Sequence, residues 1–407
     1  MALRLFLAVS LGVIATAAAT NAGSPRAGAF RVLAHVAAGG GYSADVVGER
    51  HYAYLSSRKG LGADCPAQGV RAYDLSQPRR PRHLSTFARI PGTWTEKTIV
   101  RRVKTRGFDG VLAAVSVQAC TDGFGGFVVY DVTRPARPRE LARVRTEPRG
   151  SHEIWLATAN GKAWVYTAEA ATETSLAPNA FGFHIYEVTE PSTPVEVGNW
   201  SACRDLHLCS ALGTTNFLVH SVRTNAAATR AYLSYWDLGT VILDIGQPAQ
   251  PRYLGRTAPG QGHVHSSWPM GDPRLMLETH ELEHGRPAVW DVRDPAHPVR
   301  LGTIRLPAAL RPGGGFTRTL ADSVHDPKSA GRSAYFSWYG QGVALFDLKR
   351  PRRPRFIARF RPPPERDRHG LLCPGHSCTA VWGVFVMRDY VLASDMSSGL
   401  WVLSRPR

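Results

Sequence analysis

The sequence contains little that is typical of helical or membrane proteins. Downstream of residue 19 no apolar run approaches the roughly 20 residues that span a bilayer, and helical periodicity is hard to find anywhere in the 407 residues. The chain also lacks a G-x-S-x-G elbow, a phosphate-cradling G-x-x-x-x-G-K-S/T loop and a glycine-rich dinucleotide turn within a βαβ unit. These absences argue against the common hydrolase and nucleotide-dependent chemistries.

Acidic residues are scarce as well, with 32 against 49 lysines and arginines, so the formal net charge is +17. Almost all of the excess is arginine. Such a balance can indicate a polyanionic partner, or it can reflect an arginine-favouring genome alone. No RNP-like, zinc-finger or helix-turn-helix pattern accompanies the charge, so we do not expect nucleic acid to be a partner.

The first residues are typical of an export signal. Arg4 is followed by an apolar run over residues 5–19 and then by small residues, which predicts a signal peptide over 1–23 with cleavage between Ala17 and Ser24. A membrane anchor is the alternative, but the run is short for a span. We therefore expect a secreted, periplasmic or cell-surface protein with no transmembrane segment after cleavage.

Six cysteines agree with an oxidising compartment, because an even count in an exported chain is more often a disulfide set than a thiol or metal set. Two pairs are close enough in sequence to close small local loops, and the remaining two are then left for each other. The predicted disulfides are Cys65–Cys120, Cys203–Cys209 and Cys373–Cys378.

One phrase recurs along the chain. It appears as AYDLSQPRRPRHL, VYDVTRPARPREL, IYEVTEPSTPVEV, ILDIGQPAQPRYL, VWDVRDPAHPVRL and LFDLKRPRRPRFI. Its acidic positions follow one another at steps of 57, 56, 57, 47 and 56 residues, and a further step of 57 reaches Ser404. These acids are Asp74, Asp131, Glu187, Asp244, Asp291 and Asp347. A period near 50 residues is in the range of propeller blades, so the repeat predicts seven units.

Each unit contains short β-branched and aromatic runs separated by polar turns, which predicts consecutive antiparallel strands. The seventh unit stops after its third strand, while FRVLAHV at residues 30–36 matches the outer-strand phrase RFIARF. Closing the ring removes the open sheet edges. We therefore predict an all-β fold, a single seven-bladed β-propeller over residues 24–407 that is closed by an N-terminal strand joining the last blade.

These phrases resemble the LVIVD repeat over nearly the whole mature chain. The resemblance implies a propeller of exported bacterial or archaeal proteins, for most of which no reaction is established. Our first hypothesis is accordingly a non-catalytic binding or surface-interaction module, a monomer whose partner is a protein, a glycan or an anionic cell-envelope ligand.

Four consecutive units place a histidine near the start of the innermost strand, which lines the channel of a propeller. They are His152, His220, His265 and His325. Imidazole is a common ligand for iron, copper or zinc, so these side chains could hold one ion, with Glu153 or Asp326 completing the site. The arrangement is similar in outline to the four-histidine iron of carotenoid oxygenases and to histidine-lined selenium-binding proteins, whose sequence patterns it does not match. The alternative is four solvated channel histidines.

This metal site supports our second hypothesis, a metal-dependent enzyme such as an oxidoreductase. A further pattern, His280-Glu281-Leu282-Glu283-His284, formally matches HExxH. Strand-like phrases flank it and Gly285 follows at once, so we expect a hairpin loop near the channel mouth rather than the helix of a zinc protease.

The two faces of the disc differ in sequence. The disulfides are expected to brace long loops on the face where the inner strands begin, which is where we expect a ligand to bind. The opposite face carries the double-proline hairpins, and equivalent positions should bring their arginines to one rim. This basic rim comprises Arg79, Arg80, Arg134, Arg137, Arg350, Arg352 and Arg353. It could attract an anionic envelope polymer or membrane surface, or its arginines could simply be solvated turn residues.

Overall fold

The structure is a computed structural model, and it describes residues 28–60, 65, 68–120, 123–146, 149–169, 171–174, 182–211, 214–260, 263–281, 285–310, 323–373 and 375–406. The predicted signal peptide lies outside these residues. Seven antiparallel sheets are arranged as the blades of a β-propeller, which confirms the predicted fold class. No helix in the described part of the chain is long and apolar enough to cross a membrane.

The strands follow one another from the channel outward in each blade. A first strand, β1 (Val32–Val36), precedes blade 1, which contains β2 (Tyr42–Glu49), β3 (Tyr52–Arg58), β4 (Val70–Asp74) and β5 (Arg82–Phe87). Blade 2 contains β6 (Thr93–Trp94), β7 (Thr98–Lys104), β8 (Asp109–Ala119), β9 (Gly126–Asp131) and β10 (Arg139–Arg145). Blade 3 contains β11 (Glu153–Ala159), β12 (Lys162–Glu169), β13 (Gly182–Glu187) and β14 (Val195–Trp200), and the short helix α1 (Ala202–Leu206) follows.

The remaining blades repeat this order. Blade 4 contains β15 (Val219–Thr224), β16 (Arg230–Tyr235), β17 (Gly239–Asp244) and β18 (Arg252–Arg256). Blade 5 contains β19 (His263–Pro269), β20 (Leu275–Glu281), β21 (Ala288–Asp291) and β22 (Val299–Thr303), followed by a 3-10 turn at Ala308–Leu310. Blade 6 contains β23 (Pro327–Ala330), β24 (Ser333–Trp338), β25 (Gly342–Asp347) and β26 (Arg355–Phe360). A small ribbon of β27 (Glu365–Arg366) and β28 (Ser377–Cys378) leads to β29 (Val381–Val386), β30 (Tyr390–Asp395) and β31 (Gly399–Ser404).

The N-terminal strand completes blade 7. Strand β1 pairs antiparallel with β31, where Val36 lies opposite Leu400, and the sheet order is β1-β31-β30-β29. The imidazole of His35 stacks on the indole of Trp401, with 4.0 Å between the ring centroids. Both ends of the described chain therefore belong to one sheet, so separating that blade requires breaking a complete strand pair.

The repeated acid ends the third strand of each blade from 1 to 6, and its carboxylate explains why the strand stops there. In blade 4, for example, Oδ1 of Asp244 accepts the backbone N–H of Gly246 at 2.9 Å, which forms an Asx-type turn. The other oxygen pairs with Arg252 at 2.6 Å, on the first residue after the second proline. The same acid–arginine pair recurs in blades 1, 2 and 6 as Asp74–Arg82, Asp131–Arg139 and Asp347–Arg355.

The hydrophobic core lies between neighbouring blades. Apolar side chains from the middle strands of one sheet pack against the next sheet, as Val165 and Ile154 of blade 3 do against Phe127 and Val129 of blade 2. Each of these side chains is fully buried. Because both faces of every sheet are covered in this way, the middle strands read as nearly continuous apolar runs.

Candidate functional site: the propeller channel

The first strands of the blades line the channel with three successive layers. A histidine layer, formed by His152, His220, His265 and His325, lies where these strands begin. A charged layer follows, formed by Asp45, Lys97, Glu153, Arg223, Asp326 and Lys328. The third layer is a cavity at the far end of the same strands, the distal cavity, whose lining includes Arg101, Trp155 and Trp268. The order of the histidine and charged layers along the channel follows from the sequence of each first strand. In β15, for example, His220 precedes Arg223 by three residues.

The four histidines lie side by side, as their positions in consecutive blades predict. Successive ring centroids are 4.5 Å apart for His152 and His220, 4.1 Å for His220 and His265, and 4.1 Å for His265 and His325. The Nε2 atoms of His152 and His220 are 3.0 Å apart. The histidines of four blades therefore form one continuous row rather than four separate channel-lining groups.

Neighbouring groups orient this row. Nδ1 of His152 donates to Oε1 of Gln118 at 2.8 Å, which leaves Nε2 of His152 with its lone pair, and Nδ1 of His265 lies 3.1 Å from the hydroxyl of Ser266. Such outer contacts fix the tautomer and the ring plane. Burial also lowers the pKa of all four imidazoles, to about 3 for His265. The row is therefore neutral at physiological pH, which is the form that binds metal ions.

The carboxylate that reaches the histidines is Glu281. One ligand atom from each of His220, His265 and Glu281 lies within 4.8 Å of the other two. Oε2 of Glu281 is 3.8 Å from Nε2 of His265, and the Tyr339 hydroxyl donates to Oε1. Burial raises the pKa of Glu281. Sequence analysis missed this residue as a ligand, although it is the second residue of the HExxH pattern and could have been found there.

The expectation for the HExxH segment is corrected in part. His280 and Glu281 are the last residues of β20 rather than members of a hairpin loop, and residues 282–284 lie outside the described residues. Because side chains alternate along a strand, the two residues point to opposite faces. His280 is buried with its Nε2 atom 3.0 Å from Oε1 of Glu278, while Glu281 faces the histidine layer.

Glu153 and Asp326, the carboxylates that the sequence offers as further ligands, belong to the charged layer instead. The ammonium of Lys97 lies 3.1 Å from Glu153, 2.8 Å from Asp326 and 3.2 Å from Asp45. Arg223 pairs with Glu153 at 3.0 Å and with Asp326 at 3.5 Å. The expectation that either carboxylate completes a metal site therefore fails, because both are held by buried cations.

Electrostatics favour the ionised forms of Asp326 and Lys97, two members of the charged layer. Burial disfavours the carboxylate of Asp326, but Lys328, Lys97 and Arg223 outweigh it and hold its pKa well below the ordinary value. Burial likewise disfavours the ammonium of Lys97, yet its three carboxylate neighbours raise the pKa of Lys97. The layer joins five blades across the channel, blades 1, 2, 3, 4 and 6, and separates the histidine layer from the distal cavity.

A cation and a second carboxylate border the histidine layer. The guanidinium of Arg58 lies between two indoles, 5.0 Å from the ring centroid of Trp94 and 4.8 Å from that of Trp382. Its Nε atom is 3.8 Å from Oε2 of Glu96, and burial raises the pKa of Glu96 to about 8. Nε2 of His325 is 3.9 Å from Oε1 of Glu96. Aromatic, cationic and acidic groups thus surround the imidazole row.

The six cysteines form three disulfides, which join the same residues that their spacing pairs. They are Cys65–Cys120, Cys203–Cys209 and Cys373–Cys378. Cys65 lies between β3 and β4 and Cys120 follows β8, so this bond links neighbouring blades. Disulfides of this kind are compatible with an extracellular protein.

The basic rim is exposed at all seven predicted positions. Arg79 and Arg80 lie in the hairpin of blade 1, Arg134 and Arg137 in that of blade 2, and Arg350, Arg352 and Arg353 in that of blade 6. The arginines that follow the second proline of the same hairpins pair with the repeated acid. Part of the arginine excess is therefore structural, and the seven rim residues carry the remaining charge of these hairpins.

Comparison with known proteins supports the fold alone. No protein-family model matches the chain, and no curated protein matches it, so the resemblance to the LVIVD repeat rests on the sequence pattern. A solved structure that is similar is Raptor from Chaetomium thermophilum, with a TM-score of 0.61 at 11% sequence identity. The match covers 92% of this chain and 29% of the Raptor chain.

Proposed function

We propose that this chain binds one transition-metal ion at the channel mouth and acts as a metal-dependent oxidoreductase. The observation that carries the proposal is the convergence of His220, His265 and Glu281, whose ligand atoms lie within 4.8 Å of one another. Two histidines and one carboxylate with open positions are the ligand set of non-haem iron oxygenases. Iron is therefore the first candidate, and copper or zinc are the alternatives.

The spacing of the imidazoles supports this assignment. Two ligands bonded at about 2.0–2.1 Å to one ion at right angles are separated by about 2.9 Å. The Nε2 atoms of His152 and His220 are 3.0 Å apart, so His152 can become a further ligand with a small adjustment. An N–H···N hydrogen bond between two neutral imidazoles would give the same distance, and metal titration separates these two interpretations.

The groups around the row support chemistry on a small substrate. A bound iron or copper ion would supply redox chemistry, while the protein orients the substrate and its protons. Arg58 is half-buried between two indoles, and its Nε, 3.8 Å from Oε2 of Glu96, has no hydrogen-bond acceptor among the described residues, so this guanidinium can hold a negatively charged group of the substrate. Glu96, whose pKa is raised to about 8, can hold a proton near neutral pH.

Metal titration tests the proposal. The protein, expressed without a metal-binding tag, is stripped with chelator, reconstituted separately with Fe(II), Cu(II) and Zn(II), and analysed for bound metal after gel filtration. We expect about one ion per chain, and a loss of at least tenfold in metal affinity for His220→Ala and for Glu281→Gln. His297→Ala is the matched control, because this imidazole is 83% exposed on the outer hairpin of blade 5. The proposal fails if no metal is retained, or if His220→Ala and His297→Ala retain the same amount.

A second candidate function is an exported interaction module that binds anionic cell-envelope material. The observation that favours it is the basic rim, since seven exposed arginines occupy equivalent hairpins on one face. Anionic polymers and lipid headgroups concentrate such charge. The expected signal peptide and the three disulfides are compatible with binding outside the cytoplasm. The two functions can coexist because the rim and the histidine layer belong to opposite faces.

A further inference from the structure

The distal cavity lies at the end of the channel opposite the histidines. Its volume is about 680 Å³, which is within the range of small-molecule sites. Segments of all seven first strands line it, from Val47 in blade 1 to Phe385 in blade 7. The charged layer forms its floor, so the cavity opens only toward the face that carries the basic rim.

Two tryptophans form a fixed apolar wall of this cavity. Trp155 of β11 and Trp268 of β19 meet edge to face, with 5.6 Å between ring centroids. Each indole N–H donates to a side-chain hydroxyl, at 3.0 Å to Thr224 and at 3.1 Å to Ser329. Both rings are partly exposed to the cavity. Rings that are held by hydrogen bonds and still accessible can pack against a ligand at little cost in side-chain entropy.

Arg101 places a positive charge beside this wall. Its guanidinium lies 4.5 Å from the ring centroid of Trp155, and among the described residues no carboxylate lies within salt-bridge distance of it. Beneath it, the buried Nε of Arg223 lacks a hydrogen-bond acceptor within the described part of the chain. Burial lowers the pKa of Arg101, and the more weakly acting charge of Glu49, which lines the same cavity, only partly opposes this effect.

The charge balance of the cavity is positive. In the charged layer, three cations and three carboxylates cancel. The rest of the lining adds Arg101 and Arg230 against Glu49. The exposed arginines of the basic rim lie on the same face of the disc, where they raise the local concentration of anions.

We propose that the distal cavity binds a small organic anion with a flat apolar body. Its carboxylate or phosphate pairs with Arg101, and its body packs against Trp155 and Trp268. A guanidinium that is stacked on an indole and has no salt-bridge partner among the described residues is well suited to a bidentate pair with such an anion. This anion site is separate from the proposed metal site, because the charged layer lies between them. The proposal for the distal cavity therefore does not depend on the proposed function.

Isothermal titration calorimetry with two matched probes tests this site. 2-Naphthoate and 2-naphthamide have nearly the same shape, and only the first carries a charge. We expect saturable binding of one naphthoate per chain, at least tenfold tighter than the amide, and weakening as NaCl is raised. Arg101→Gln should reduce the affinity for naphthoate about tenfold and leave the affinity for the amide unchanged.

The next residue on the same strand is the control. Arg102 points to the outer side and pairs with Asp109, so Arg102→Gln should bind naphthoate as the wild type does. Arg101→Lys keeps the charge but loses the planar guanidinium, so its affinity for naphthoate should lie between those of the wild type and Arg101→Gln. An intermediate affinity shows that the loss in Arg101→Gln does not come from a folding defect. The proposal is overturned if neither probe binds, if both bind equally, or if Arg102→Gln weakens naphthoate as much as Arg101→Gln does.

Discussion

Removing Lys97 tests the idea that the charged layer holds the ring together. The Lys97 ammonium is 1% exposed and lies within 3.2 Å of three carboxylates, each of which is also buried. Lys97→Met keeps the length of the side chain but leaves three buried carboxylates with only the cations of Arg223 and Lys328. Breaking a buried ion pair by removing one partner costs about 3–5 kcal/mol, and we expect the free energy of unfolding to fall by that amount.

The expected change in melting temperature follows from the size of the chain. At about 2.1 cal/mol/K per residue, 407 residues give an unfolding entropy of about 0.85 kcal/mol/K, so the melting temperature should fall by about 4–6 °C. Urea denaturation followed by tryptophan fluorescence measures the free energy, and calorimetry measures the temperature. Lys104→Met is the control, because this lysine lies exposed at the end of β7, the strand that begins directly after Lys97, and should change the free energy of unfolding by less than about 0.5 kcal/mol.

A second substitution tests whether unpaired buried carboxylates cause the loss of unfolding free energy in Lys97→Met. Among the described residues Asp45 forms an ion pair only with Lys97, whereas Glu153 and Asp326 have further cationic partners. Adding Asp45→Asn to Lys97→Met removes the least compensated carboxylate, so the double variant should recover part of the lost free energy. A loss below about 1 kcal/mol for Lys97→Met, or a double variant less stable than the single one, would refute the reasoning.

Two further predictions concern the repeat. Asp244→Ala removes both the turn acceptor for Gly246 and the pair with Arg252, and should cost about 1 kcal/mol in urea denaturation at pH 7. The backbone hydrogen bond from Gly246, followed by Arg252, lowers the pKa of Asp244, so this stabilisation is present above about pH 4 and lost as the pH falls through the folded-state pKa; a cost that stays constant down to pH 2 contradicts it. For the basic rim, replacing Arg350, Arg352 and Arg353 by Glu should abolish retention on anionic lipid vesicles at 50 mM NaCl. The corresponding replacement of Arg366 and Arg368, outside the rim, should not; equal losses would exclude the rim as the binding surface.

The architecture could be predicted because it depends on local and periodic patterns in the sequence. The repeated acid and its prolines mark the end of a third strand wherever they occur. Asp74 and its five equivalents therefore identify six blades, and one further step of the repeat identifies the seventh. The match of residues 30–36 to an outer strand then predicts the closing pair between β1 and β31, since only the seventh unit lacks that strand. Each of these inferences depends on a segment of about ten residues and on its neighbours in sequence.

The candidate site was predictable only in part. The alignment of repeats brings the four histidines to one layer, because equivalent positions in a ring of repeats share a radius and a height. The carboxylate that joins them was not predicted, although Glu281 belongs to the HExxH pattern. Glu153 and Asp326 are adjacent in sequence to His152 and His325, yet strand alternation turns them toward Lys97 and Arg223. Glu281 belongs to β20, the second strand of blade 5. A shift of one residue in the register of this strand would turn His280, instead of Glu281, toward the histidine layer.

The sequence by itself determined the all-β class, the seven blades, the closing strand and the spacing of the cysteine pairs, since periodicity, turn chemistry and short loops depend on nearby residues. Only the tertiary structure decided which buried charges neutralise one another, that Glu281 faces the histidines, and that Arg101 lies over the indole of Trp155 without a salt-bridge partner in the described part of the chain. Those outcomes depend on distances between side chains of different blades, and Lys97 illustrates the reason: its partner Asp326 is 229 residues away along the chain and 2.8 Å away in space.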